Sequence, residues 1–114
     1  MRIVPDHGSL PGFEIAVTPA AEGVLVTVAG ELDVATAAEF EATLLEQLAE
    51  GPVRLDMRKL SFMDSTGIRV FDALLRDLPV MGTTLLIDPT LQPAVRQVIA
   101  LTGMTDALPF DASA

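Results

Sequence analysis

The 114-residue chain has no cysteine, no tryptophan and no tyrosine, and only one histidine. Without cysteine it can form no disulfide, no thiolate nucleophile and no cysteine-ligated zinc site. Five phenylalanines are its whole aromatic complement, too few for a base-stacking platform. The core must then be built mainly from Val, Leu, Ile and Ala, as in sheets that helices cover. Positive charge is scarce as well. Seven Lys and Arg against sixteen Asp and Glu leave a formal net charge of −9. That balance, with no local basic patch, argues against direct binding to nucleic acid or to anionic lipid, while a basic protein partner is allowed. No apolar run approaches the roughly 20 residues that span a bilayer. The first eight residues carry no apolar signal core, so a cytoplasmic location without membrane insertion is expected. His7 stands alone in a segment unlike any metal site and reads as an incidental surface residue.

Half of the residues are hydrophobic, enough for one modest core in one domain. Residues 1–12, with Pro5, Gly8, Pro11 and Gly12, read as an irregular lead-in. Phe13, Ile15 and Val17 alternate with Glu14, Ala16 and Thr18, which predicts a strand over 13–18 ended by Pro19. A turn at Ala21-Glu22-Gly23 leads to a second strand over 24–29, and so short a connection predicts an antiparallel hairpin. The alternation breaks at Gly30-Glu31-Leu32-Asp33. Over 35–50 the period becomes nearly four, with Ala37, Phe40, Leu44 and Leu48 on one stripe. This is an amphipathic helix for which Asp33 or Thr36 can serve as the cap.

Gly51-Pro52 stops that helix. Val53, Leu55 and Met57 then alternate with Arg54, Asp56 and Arg58, a third strand whose polar face is more charged than a fully buried central strand prefers. Ile68, Phe71, Leu74 or Leu75, and Leu78 mark a second helix closed by Pro79 and Gly82. Residues 84–87 predict a short strand, 92–101 a third helix with Val95, Val98 and Ile99 inward, and 108–110 an edge strand that tolerates Pro109. Right-handed crossovers in this β-β-α-β-α-β-α-β order predict a single layered α/β domain over 13–110, with 111–114 as a tail. Its sheet should be mixed but mostly parallel, four- to five-stranded, with an N-terminal antiparallel hairpin and helices packed against it.

The chemistry concentrates at Asp64-Ser65-Thr66-Gly67, between the third strand and the second helix. A helix start leaves backbone N–H groups unpaired and carries partial positive charge, which suits a phosphate. Asp64 can cap, Ser65 then lies at the helix mouth, and Gly67 permits close approach. The same residue types serve equally well as an ordinary cap, so the residues alone leave both readings open. The nearest approach to a catalytic set is the carboxylate pair Asp33 and Asp64, with no histidine beside it. No phosphate-binding glycine loop or dinucleotide fingerprint is present. The chain is not expected to be an enzyme.

Gly30-Glu31-Leu32-Asp33, then Leu60-Ser61-Phe62-Met63-Asp64-Ser65-Thr66-Gly67-Ile68, then Pro93-Ala94-Val95-Arg96 closing on Leu101-Thr102-Gly103-Met104, occur in this order. Together they resemble the STAS domain family, and most of all its bacterial anti-sigma-factor-antagonist branch. The resemblance implies the STAS-type fold and a phosphoacceptor at Ser65, the hydroxyl residue after the motif Asp. It also implies a partner surface drawing on the Asp33 loop and on Asp64, Thr66 and Gly67, to which Ile68, Arg69 and Asp72 are added only because they follow on the same helix. In that family the unmodified antagonist binds an anti-sigma factor, often a GHKL-type Ser/Thr kinase, and frees the sigma factor. Phosphorylation ends the interaction and a PP2C-type phosphatase restores it. No cofactor is implied on this chain, since nucleotide and Mg²⁺ belong to the kinase. A STAS accessory subunit of a transporter ATPase or of a signalling scaffold is the alternative. Relatives often continue into a further C-terminal helix, and association into a homodimer is one way to cover the face it would occupy.

Overall fold

The computed structural model describes residues 12–113 and the backbone of Arg2 and Ile3; His7 lies outside them. Five strands and three helices alternate in a simple order. They are β1 (Arg2–Ile3), β2 (Phe13–Pro19), β3 (Val24–Leu32), α1 (Ala37–Leu48), β4 (Val53–Met63), α2 (Ser65–Met81), β5 (Leu85–Ile87) and α3 (Pro93–Leu101). The strands lie side by side in chain order. β1–β2 and β2–β3 are antiparallel, whereas β3–β4 and β4–β5 are parallel. The expected hairpin and α/β architecture are therefore present. Within the lead-in taken as irregular, Arg2 and Ile3 pair with Val17 and Ala16.

Crossovers of one hand between strands added in one direction place α1 and α2 on the same face of the sheet. The burial pattern agrees. Phe13, Ile15, Val17, Val26, Val28, Val53, Leu55, Leu85 and Ile87 turn inward and join one core with Phe40, Leu44, Phe71, Leu74, Val95 and Ile99 from the helices. Phe40 is its hub: its ring meets Phe13 edge-on at 6.4 Å and Phe71 at 5.6 Å. The opposite face is open, which accounts for the charged side of β4. There Arg58 pairs with Asp56 at 2.7 Å, and Arg54 bridges to Asp111 and, at 3.9 Å, to Asp88.

β4 is much longer than the sequence pattern suggests. The alternation marks a strand only over 53–58, yet residues 59–63 belong to it as well. Thr27 faces Asp56 but Ala29 faces Lys59, and Gly30 faces Leu60 but Glu31 faces Phe62. β4 thus inserts one extra residue twice, as bulges do. Each insertion resets which face a side chain meets, so the buried series runs Val53, Leu55, Met57, Leu60, Met63. β3 likewise continues past the expected break. Gly30, at φ 102°, adopts a backbone that favours glycine, and a Cβ there would lie 1.9 Å from the Gly12 carbonyl oxygen. That same oxygen accepts the Glu31 N–H at 2.8 Å.

Two further boundaries move. α2 runs through Pro79 to Met81, because its apolar stripe persists: Leu78 and Met81 both pack against the core. Gly82 then ends it in the left-handed region at φ 67°, donating its N–H to the Leu78 carbonyl at 3.1 Å. The expected edge strand over 108–110 is reduced to one parallel bridge, Ile87 with Phe110. Pro109 has no N–H for a longer ladder, although its carbonyl accepts from Ile87 N–H at 2.9 Å.

Asp111, the first residue of the tail, is fastened to the sheet. Its backbone N–H donates to Ile87 O at 2.8 Å, and its carboxylate receives Ser113 and Arg54. The Ser113 hydroxyl, followed by the Arg54 guanidinium and the Ser113 N–H, lowers its pKa from 3.8 to about 2. A carboxyl that titrates lower when folded adds stability above its free value and loses it as pH falls through the folded one. Carboxyl NMR should therefore find the Asp111 midpoint near pH 2. Ser113→Ala or Arg54→Gln should each raise that midpoint. Acid unfolding of wild type should draw on this contact between about pH 4 and pH 2, and Asp111→Asn should lack that component.

Candidate functional site

β3 and β4 are parallel and end level, with Leu32 opposite Met63. The next residue of each chain, Asp33 and Asp64, therefore leaves the sheet at the same edge, on strands about 4.8 Å apart. A hydrogen bond from Asp64 N–H to Leu32 O at 3.2 Å ties the two exits together. Each exit then turns into a helix, so both helix N-termini open toward this edge.

Asp64 has extended backbone geometry and caps α2, its Oδ1 accepting the Thr66 N–H at 2.8 Å. Its carbonyl accepts from Gly67 N–H at 3.1 Å and Ile68 N–H at 3.4 Å. Ser65 is the first helical residue and is exposed, whereas Thr66 is half-buried. Of the two adjacent hydroxyl residues, Ser65 is thus the one presented to solvent. Gly67 is buried, and a Cβ on it would stand 2.5 Å from Met63 Cγ, 2.9 Å from Met63 Sδ and 3.0 Å from Leu32 Cδ2. The absent side chain lets the first turn of α2 settle onto the ends of both parallel strands.

The neighbouring loop, 33–36, is held from within. Thr36, 3% exposed, accepts the Asp33 N–H at 3.0 Å and donates its hydroxyl to Glu31 O at 2.8 Å. Asp33 Oδ1 accepts Ala35 N–H at 2.9 Å, and its carbonyl accepts the N–H groups of Thr36 and Ala37. Of the two candidate caps, Asp33 makes the cap-type contacts, its side chain on the Ala35 N–H and its carbonyl on the Ala37 N–H. Thr36 occupies the cap position of α1 without a side-chain hydrogen bond to the helix, and its hydroxyl pins the loop instead.

The structure thus gathers Asp33, Asp64, Ser65, Thr66 and Gly67 at one edge. Ile68 is half-buried and packs against the core. Arg69 lies one turn down α2 from Ser65 and is exposed. Asp72 is about 10 Å further along the helix than Ser65, paired with Arg76 at 3.0 Å, and so stands outside the immediate cluster. Two apolar residues at this end escape sequence reasoning. Val34 is 80% exposed in the pinned loop and Phe62 is 43% exposed on the open sheet face. Val34 falls off the Ala37–Phe40–Leu44–Leu48 stripe, which was the available clue. Phe62 is turned outward by the second bulge, which no periodicity reveals.

Among the described residues no cluster of His, Asp or Glu is arranged to hold a metal ion, and no helix is long and apolar enough to cross a membrane. The sequence profile of the STAS domain family matches residues 13–114. The anti-sigma-B factor antagonist of Listeria monocytogenes is 34% identical over 85 residues, covering 73% of this chain and 74% of that one. Among solved structures, an anti-sigma factor antagonist from Mycobacterium paratuberculosis superposes with a TM-score of 0.74 at 22% identity, covering 92% of this chain and 90% of that chain. The Bacillus cell fate determinant SpoIIAA in its phosphorylated form gives 0.60 at 20% identity, with coverage of 88% and 91%. At these identities the structural likeness is one of fold. The chain belongs to the STAS domain family, in its anti-sigma-factor-antagonist branch. The resemblance carried by its three sequence segments is borne out.

The cap carries a measurable share of stability. Asp64→Ala should cost about 1 kcal/mol in urea unfolding, whereas Asp64→Asn, which keeps an accepting oxygen, should stay within a few tenths. Equal losses for the two variants would show that the Thr66 N–H does not depend on this acceptor.

Proposed function

We propose that this chain is a phosphorylation-switched antagonist that binds an anti-sigma factor when unmodified and releases it when Ser65 carries a phosphate. The observation that carries the reading is the placement of Ser65, an exposed hydroxyl residue directly after the Asp64 cap. The names of two relatives support it, an anti-sigma-B factor antagonist and a SpoIIAA solved in phosphorylated form. In this reading a GHKL-type Ser/Thr kinase, which is also the anti-sigma factor, transfers the phosphoryl group of ATP to Ser65. A PP2C-type phosphatase removes it, and both meet the chain in the cytoplasm.

The partner surface comprises Asp33, Asp64, Thr66, Gly67, Ile68, Arg69 and Asp72, with Val34 as an apolar anchor inside an acidic rim. Phosphate adds about −1.5 to −2 charges at neutral pH, beside two carboxylates already at this edge. A partner fitted closely over Ser65 would bury that charge or meet its own acidic groups, either of which is costly. The switch then acts at the interface and leaves the fold intact.

Incubation with the candidate kinase and ATP, followed by mass spectrometry, should place one phosphate on Ser65 and none on Ser65→Ala. Ser65→Ala should bind the anti-sigma factor about as tightly as wild type, and Ser65→Asp about tenfold more weakly or worse. A chain left unmodified, or equal affinity for all three proteins, would sink the proposal.

A further inference from the structure

One exposed face of α2 carries Ser65, Arg69, Asp72 and Arg76, at positions i, i+4, i+7 and i+11 of an unbroken helix. The lower two are already paired, Arg76 Nη2 to Asp72 Oδ2 at 3.0 Å, with the acid N-terminal and the base four residues on. That order is the favourable one, because helical side chains lean toward the N-terminus and a long base reaches back to an acid one turn earlier. Ser65 and Arg69 repeat the same spacing and order one heptad upstream, so they lie on nearly the same face. Asp72 has its carboxylate on Arg76, and among the described residues no carboxylate pairs with Arg69. The face therefore reads neutral, plus, minus, plus, and its top position is a hydroxyl that can acquire negative charge.

We propose that Arg69 is the internal counter-ion of phosphorylated Ser65. This rests on the reading of Ser65 as phosphoacceptor and adds what the phosphate does within its own chain. The phosphate supplies three acceptor oxygens, and the guanidinium presents a planar fork of donors that matches two of them. Phosphorylation then completes an alternating ladder of four charges along α2. It also has two effects at the surface: a negative group appears at the helix mouth, and a cation that was free to meet a partner's acidic residue is drawn back onto its own helix. Reversal by a phosphatase frees both.

The test uses protein with phosphoserine installed at position 65 during translation, so that no kinase is involved. The second ionisation of the phosphate is followed by ³¹P NMR. Asp64 and Asp33 on the adjoining exits and Asp72 on α2 act on the phosphate equally in wild type and Arg69→Gln, so the difference isolates Arg69. Wild type should ionise about half a pH unit lower than Arg69→Gln. The gap should shrink in roughly 1 M salt, and Arg76→Gln should follow wild type. Identical ionisation in wild type and Arg69→Gln, or an equal shift from Arg76→Gln, would overturn the assignment. Failure of a kinase to modify Ser65 would instead remove the proposed function and leave this measurement untouched.

Discussion

β3 and β4 run parallel and stop at the same level, and the geometry of the edge that carries Ser65 follows from that pairing. Two parallel strands that end together must send both of their outgoing turns off one edge, and here the Asp64–Leu32 hydrogen bond clamps those turns side by side. An antiparallel pair would have sent them to opposite ends. Gly67 reinforces the clamp by letting α2 approach Leu32 and Met63 more closely than any side chain would permit. Ser65 is consequently held on a capped helix start, with its backbone fixed from below by the core and from the side by the neighbouring loop. The edge is held by the Asp64–Leu32 hydrogen bond and the close seat of Gly67.

The charge on this edge has a structural logic of its own. Most cations of the described chain are occupied elsewhere: Arg54 on Asp111 and Asp88, Arg58 on Asp56, Arg76 on Asp72, and Arg96 on the Leu91 carbonyl. Exposed pairs such as Arg76–Asp72 contribute little to stability. Their effect is to leave acidic residues dominant around the β3–α1 loop, with Arg69 as a local exception on α2. Val34, next to Asp33 in the chain, is the large exposed apolar residue of that loop.

Much of this was legible in the sequence because the helices and the hairpin obey simple periods. The Ala37–Phe40–Leu44–Leu48 stripe gives α1, the alternation at Phe13–Ile15–Val17 gives β2, and Asp64 before an apolar run gives the cap. The rest was hidden where one rule overrides another. Two bulges space Met57, Leu60 and Met63 three apart, a pattern that no longer looks like a strand, so β4 seemed to end early. Pro79 signals a helix stop, yet burial of Leu78 and Met81 outweighs it until Gly82. Thr36 looks like a cap but spends its hydroxyl on Glu31. These readings depend on tertiary contacts that a local window cannot contain.

The sheet is assembled in the order in which its strands are encoded. During synthesis each new strand emerges beside a partner that has already been made, and no early segment has to wait for a distant one. By the time Met63 leaves the ribosome, β2, β3 and β4 are all available to pair. Ser65 and the helix that presents it come next, onto an edge that its predecessors have already built. A nascent chain can therefore hold the outline of this edge before its final third has emerged.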